Sequence, residues 1–269
     1  MGELERLVRV AKAAALAGGQ VLKEHFRKVK REQIEEKAEK DFVTFVDKTS
    51  EEVIREVIKA HFPEHALVGE EEGKSFTGSP YCWYLDPLDG TKNYLKGLPL
   101  FAVSVGVTYE NRPVAGAVYL PYFDALYWAY EGGGAFKNGE PIRVSSVKEL
   151  KYASVAYGFP SKSEGDVRRY WEAVTEVFFK VGSVRRPGAA AVDMCFLAEG
   201  LFDGMLEFEM KPWDVCAAAV ILKEAGGLYE TSRPLHEGPF DVVAGSPEVF
   251  PFLKEVYAKY FPSASEARL

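Results

Sequence analysis

Trp83-Tyr84-Leu85-Asp86-Pro87-Leu88-Asp89-Gly90-Thr91-Lys92-Asn93-Tyr94 runs from an apolar strand candidate into a turn and a helix start. The apolar run ends at Asp86, Pro87 stiffens the exit and Asp89-Gly90 turns the chain. Two carboxylates three positions apart on such a turn can converge on one point. Asp, Pro and Gly are also ordinary turn residues, so a solvated strand-to-turn connection is the competing reading of these residues alone. Converging carboxylates repel and need protons or cations nearby. Hard divalent cations such as magnesium take oxygen ligands and meet that need.

Upstream, Leu4, Leu7, Val8, Ala11, Ala14, Ala15 and Leu22 recur on one helical face, predicting a long helix from residue 3 to about 26. Arg27 to Asp41 is dense in charge and poor in large apolar groups, which predicts a surface loop. Thr44 to Ala60 reads as a second helix with Val53, Ile54, Val57 and Ile58 as its stripe. Ala66-Leu67-Val68, Phe101 to Thr108, Val114 to Leu120, Ala125 to Tyr130 and Gly134 to Lys137 read as strands, with Asn138-Gly139 as a tight turn. Beyond Leu150 the pattern gives strands at Ser154–Tyr157, Met205–Phe208 and Val242–Ala244. Helices are expected at Val167–Phe179, Ala189–Gly200, Val215–Ala225 and from about Glu248. Strands and helices mixed along the whole length predict layered α/β structure.

The chain has 269 residues, 47% of them hydrophobic, enough for a large core or two packed halves. A net charge of −7 argues against nonspecific nucleic-acid binding, which draws on basic contacts to phosphate. A small anionic substrate stays open, because bound divalent cations reverse the local sign. No stretch reaches the roughly 20 apolar residues of a membrane span. The charged start, Met1-Gly2-Glu3-Leu4-Glu5-Arg6, is unlike a signal peptide. Cys82, Cys195 and Cys216 are odd in number and far apart, so reduced thiols and a cytoplasmic location are expected.

Gly69-Glu70-Glu71, the Trp83–Tyr94 run, Trp213-Asp214-Val215 and Glu224-Ala225-Gly226-Gly227 resemble, in order, the signatures of the inositol monophosphatase family. The resemblance extends from Asp41–Asp47 to Val243-Ala244-Gly245, and bacterial members of the extragenic suppressor type look most similar. It implies a layered αβαβα sandwich of the sugar phosphatase type, built as a single catalytic unit. Residues 1–149 would carry most metal ligands, and 150–269 would carry Asp214 and the substrate contacts. It implies that Glu70, Asp86 and the Leu88 carbonyl hold a first magnesium, and that Asp86, Asp89 and Asp214 hold a second. A third, weaker ion would sit near Glu70, giving two to three per site. Singly, Glu70 also reads as one of a run of solvated acids and Asp214 as a helix N-cap; together they point to metal. Such ions acidify water and neutralise phosphate oxygens, so no cysteine or histidine nucleophile is needed.

By the same resemblance Glu70, Asp47 and Thr91 are catalytic, with Thr91 orienting the attacking water and Asp47 hydrogen-bonded to Thr91. A threonine hydroxyl accepts and donates at once. Asp89, Gly90 and Thr91 would meet the phosphate, and Gly90-Thr91 offer N–H groups at a helix start. Asp214, Gly188, Ala190, Glu207 and Arg186 would meet the rest of the substrate. Glu209 competes with Glu207 on the same strand face, and Gly188 and Ala190 equally suit close packing. Arg185-Arg186 suits either a second phosphate or a salt bridge. Lys92 replaces the threonine common beside Thr91, and Lys37 matches a family lysine loosely.

His61 and His65 have the i, i+4 spacing of zinc helices, but Pro63 between them breaks the helix such a site needs. Gly132-Gly133-Gly134 lacks the lysine of a nucleotide-binding loop. The resemblance implies an inositol-phosphate phosphatase taking myo-inositol 1-phosphate, a lithium-sensitive homodimer; composition and charge predict no membrane or nucleic-acid contacts. Fructose 1,6-bisphosphate is the alternative substrate, and a regulatory partner of transcription machinery is the alternative of another class.

Overall fold

The computed structural model describes residues 2–38, 41–75, 77–159 and 167–262. Three helix layers alternate with two sheets. The first layer is α1 (Glu3–His25) and α2 (Phe45–His61). It covers one face of an eight-stranded sheet built from β3 (Ala66–Gly69), β4 (Gly73–Ser75), β5 (Tyr81–Asp89), β6 (Ala102–Tyr109), β7 (Arg112–Leu120), β8 (Ala125–Tyr130), β9 (Gly134–Lys137) and β10 (Glu140–Pro141), in the order β10-β9-β8-β7-β6-β5-β3-β4. Only β3 and β5 pair in parallel within it. The middle layer is α5 (Ala190–Ala198) and α6 (Pro212–Glu224). A five-stranded sheet follows, ordered β12-β11-β13-β15-β14, from β11 (Ser154–Tyr157), β12 (Ser183–Arg185), β13 (Gly204–Met210), β14 (Leu228–Thr231) and β15 (Phe240–Gly245). Helices α4 (Val167–Lys180) and α7 (Phe250–Tyr260) close its outer side.

The sequence explains which helix takes which layer. Helix α1 is apolar on one face only, and its Leu7, Ala11, Ala14 and Leu22 are buried against β5–β8. Helices α5 and α6 are apolar nearly all round and lie between two sheets, so both of their faces are covered. Close approach depends on small residues. A Cβ on Gly116 would lie 2.5 Å from Ala217 Cα, and one on Gly106 would lie 2.6 Å from Ala217 N.

Several expectations need correction. The charged stretch before Asp41 is not simply a loop. It contains a 3-10 turn, Arg31–Gln33, and the strand β1 (Ile34–Ala38), which pairs antiparallel with β2 (Asp41–Thr44). The strand holding the central motif does not end at Asp86. Asp86 pairs with Ser104 and Asp89 with Ala102, with an irregularity between them, so both aspartates stand on β5. Strands β12 and β14 are the two edges of their sheet, short and without a buried residue, so they lack the apolar run that marks β11, β13 and β15. Glu110-Asn111 makes the β6–β7 turn with both φ positive, which draws Arg112 and Pro113 into β7.

Gly116→Ala is expected to cost about 1–3 kcal/mol, because a backbone atom of α6 must give way. Urea unfolding checks this, and an unchanged midpoint would refute the close approach.

Candidate active site

Asp86, 2% exposed, accepts the Leu88 N–H through Oδ1 at 3.0 Å, a bond across Pro87 that folds the bulge. Asp89 ends β5 and points across to the middle helix layer. Its Oδ1 accepts the Ala190 N–H at 3.1 Å, and its Oδ2 accepts those of Ala191 and Val192 at 2.9 and 3.3 Å. Gly90 turns the chain with φ +82°, and a Cβ there would lie 2.8 Å from the Leu100 carbonyl. It caps the short helix α3 (Thr91–Lys96). Glu70 follows β3, its N–H donating to Leu85 O at 3.2 Å, and Lys37 Nζ lies 3.5 Å from its carboxylate while also pairing with Glu71. Asp214 is the third residue of α6, not its N-cap; its Oδ2 accepts the Lys211 N–H at 2.7 Å.

These residues open on one cleft of about 650 Å³. Glu70, Asp86, Leu88, Asp89, Gly90, Thr91, Arg186, Gly188, Ala190, Glu207, Glu209 and Asp214 all line it, as do Lys37 and Lys92. A second depression, near 430 Å³ on the outer side of α4, gathers none of them.

Asp47 is the exception. It is the third residue of α2, 2% exposed, and its Oδ2 takes both the N–H and the hydroxyl of Thr44, at 2.9 and 2.7 Å. The expected Asp47–Thr91 hydrogen bond is not made. Thr91 donates instead to Leu88 O at 3.0 Å, because its first-turn position faces back over the bulge. Glu207 and Glu209 do not share a regular strand face. A register shift in β13 and a φ of +57° at Glu209 break the alternation, and Asp241 holds the Glu209 N–H at 3.1 Å. Glu207 is the buried one, its carboxylate lying where a Cβ on Gly158 would fall. The two arginines separate: exposed Arg185 donates to the Val184 carbonyl at 3.1 Å, whereas the Arg186 guanidinium faces the Phe159 ring at 5.9 Å in the cleft.

Sequence reasoning missed Asn93 and Asp193. Asn93 donates to Leu100 O and Pro187 O at 2.8 and 2.9 Å, fixing the approach to Gly188; a run of turn residues gave no signal for this. Asp193 is fully buried on α5 with neither carboxyl oxygen hydrogen-bonded, and burial pushes its carboxyl well above the usual range. The Glu224 signature is structural, its carboxylate accepting the N–H groups of Gly132 and Gly134 at 3.0 Å each. His65 is no zinc ligand: its Nδ1 accepts from Trp83 Nε1 at 3.1 Å, and its ring stacks on Phe62 and Tyr81. All three cysteines are free.

Burial raises the cleft carboxylates. Glu70 is pushed to about 8 by burial, against the pull of Lys37 and with the push of Asp214. Asp89 is pushed to about 7 by burial, opposed by its three backbone N–H donors. Burial and the charges of Glu70, Asp89 and Asp214 hold Asp86 far above the carboxylate range. Glu207 reaches about 8 by burial, despite Arg186.

As they stand, no three His, Cys, Asp or Glu side chains among the described residues are grouped so as to hold a metal ion. Their oxygens turn to backbone N–H groups and Lys37 instead, the arrangement expected of mutually repelling carboxylates. The donor set suits a hard divalent cation. It is all oxygen and lines one cleft, with Asp86 and Asp89 buried and Glu70 and Asp214 partly exposed.

Residues 3–266 match the inositol monophosphatase family. The chain belongs to that family. Its members act on phosphorylated sugars and polyols and are generally magnesium-dependent. A protein of Aquifex aeolicus named fructose-1,6-bisphosphatase/inositol-1-monophosphatase is 57% identical over 265 residues, 98% of this chain and 100% of that one. The Nus factor SuhB of Escherichia coli K12 is 35% identical over 246 residues, covering 90% and 92%. Among solved structures, the inositol monophosphatase of Anabaena sp. PCC 7120 superposes with a TM-score of 0.84 at 32% identity, covering 98% of this chain and 100% of that one. No helix among the described residues is long and apolar enough to cross a membrane.

The raised carboxylates set a pH dependence. In the unfolded chain Glu70 titrates near 4.5 and Asp89 near 3.8, while in the fold they titrate near 8 and 7. The folded state therefore binds more protons between these values, and stability falls as pH rises through them. In EDTA, the melting temperature is expected to drop from pH 5.5 to pH 8.5. Magnesium should raise it more at pH 8.5, since cation and protons compete. Equal magnesium shifts at both pH values in calorimetry would count against this.

Proposed function

We propose that the chain is an inositol-phosphate phosphatase that hydrolyses myo-inositol 1-phosphate to myo-inositol and phosphate. The reading is supported above all by Glu70, Asp86, Asp89 and Asp214, which come from three separate segments of the chain yet line one cleft. In it, Glu70, Asp86, the Leu88 carbonyl, Asp89 and Asp214 hold two to three magnesium ions. Bound magnesium supplies the Lewis acidity that acidifies water and neutralises phosphate oxygens.

The remaining work falls to the chain. The Thr91 hydroxyl accepts from the attacking water while donating to Leu88 O, and Glu70 shares in orienting that water. Gly90 and Thr91 meet the phosphate with backbone N–H groups. Asp214 steadies the water that returns a proton to the leaving oxygen. Glu207 accepts from hydroxyls of the polyol, and Gly188 and Ala190 leave room for its ring. Asp47 acts through Thr44 and the start of α2, without touching substrate. Residues 1–149 and 150–269 then work as a single unit, one half bringing Glu70 to Asp89 and the other Asp214 and the polyol contacts. The same reading takes the chain as a lithium-sensitive cytoplasmic homodimer.

A second reading, with fructose 1,6-bisphosphate as substrate, is favoured by Arg186. Its guanidinium faces the cleft with Phe159 and makes no hydrogen bond to a described residue. A planar fork of donors there suits a second phosphate. The Aquifex relative carries both activities in its name. A regulatory role in transcription, suggested by the name of the Nus factor relative, would be favoured by purified protein that binds a partner but releases no phosphate with magnesium.

Asp89→Asn is expected to lower phosphate release on the order of a thousandfold, the several kcal/mol that ligation supplies. It should also cost about 1–3 kcal/mol of stability, since an amide cannot accept all three α5 N–H groups. Near-wild-type turnover by a folded variant would overturn the assignment. Arg186→Ala separates the two substrates: a rise in KM for fructose 1,6-bisphosphate of about tenfold or more, with little change for inositol 1-phosphate, favours the second reading. Equal effects on both favour the first.

A further inference from the structure

The two segments bearing Glu70 and the Asp86–Asp89 bulge are tied from behind the cleft by a single helix, α2. Its Ser50, Glu51 and Arg55 are buried, none more than 5% exposed, and none lines the cleft. Ser50 Oγ donates to Pro87 O at 3.0 Å, in the middle of the bulge. Glu51, one residue on, serves the other segment. Its Oε2 accepts the Glu71 N–H at 2.7 Å and its Oε1 accepts the Glu72 N–H at 3.1 Å. Arg55, a turn further along, donates to Glu51 Oε1 at 2.8 Å and to Gly73 O at 2.8 Å, and it pairs with Glu72 at 3.1 Å. Gly69 completes the clasp: a Cβ there would stand 2.0 Å from Glu51 Oε1.

Glu70 thus sits between a glycine pressed on Glu51 and two N–H groups held by Glu51. Its own N–H is fixed on Leu85 O, on the strand that leads to Asp86. A buried ion pair is a poor stabiliser compared with apolar packing of the same volume. What it does supply here is direction, since two charge-assisted N–H bonds fix one orientation of the turn.

We propose that Ser50 and Glu51, with Arg55 behind Glu51, are positioning residues. They set the separation between Glu70 and the Asp86–Leu88 bulge, and through it the affinity of the cleft for a divalent cation. The proposal rests on the magnesium site proposed above. Nothing in it requires these side chains to touch cation or substrate; they hold the backbone on which the ligands stand, as outer partners of metal ligands do.

The test is calorimetric titration of the full chain with manganese and with magnesium, alongside thermal unfolding in EDTA. Wild type is compared with Glu51→Gln, Ser50→Ala and Glu224→Gln. Glu224 is the control, a carboxylate that holds two backbone N–H groups of a loop away from the cleft. Glu51→Gln is expected to weaken cation binding about tenfold or more, and Ser50→Ala to weaken it less, in the same direction. Raising magnesium should restore most of the phosphate release in both. Glu224→Gln should lower the melting temperature and leave cation affinity unchanged. The inference is overturned if Glu51→Gln and Ser50→Ala bind as tightly as wild type, or if Glu224→Gln weakens binding equally. Should Glu51→Gln fail to fold, Ser50→Ala decides alone. Wild type that binds no cation would remove the magnesium site itself, whereas wild-type binding with unaffected variants removes only the positioning role.

Discussion

Asp89 accepts three backbone N–H groups at the start of α5, and this tie joins the turn of the large sheet to the middle helix layer. An ionised carboxylate away from water is tolerated only with such donors or a cation. Several acids share the cleft, so each must find its own compensation. Asp86 uses the Leu88 N–H, Asp214 the Lys211 N–H and Glu70 the ammonium of Lys37. What each finds is partial, and the raised titration of Glu70 and Asp89 expresses the remainder.

The middle layer makes this possible. Helices α5 and α6 are apolar on both faces and lie close to the strands through Gly106, Gly116 and the alanines of α6. Their first turns then reach the cleft from the side opposite β5: Ala190 to Val192 meet Asp89, and Asp214 projects from α6. Packing density and site chemistry are here the same constraint, because a shift of α5 would break the N–H bonds to Asp89.

Capping recurs as a way of storing carboxylates. Asp47 and Asp214 are both third residues of their helices, and each accepts the N–H of its N-cap residue, Thr44 or Lys211. Asp47 stays buried behind the cleft, whereas Asp214 lies on it. The local motif is the same, and the surroundings decide which acid meets a ligand.

The sequence by itself determined the helices with a one-sided apolar stripe, the longer strands, the αβαβα class through its resemblance and the acids of the cleft. These are periodic or motif-based signals, carried by neighbouring residues. The tertiary structure alone decided which partners those acids take: that Thr91 bonds Leu88 and not Asp47, that Glu207 is buried while Glu209 is turned by a bulge, and that Arg186 faces the cleft while Arg185 does not. It also revealed the antiparallel pairing of β1 with β2, and the clasp of Ser50, Glu51 and Arg55. The physical reason is that hydrogen-bond direction and burial depend on residues that the chain brings together from far apart. Local spacing fixes which groups are available, and only packing fixes where they point.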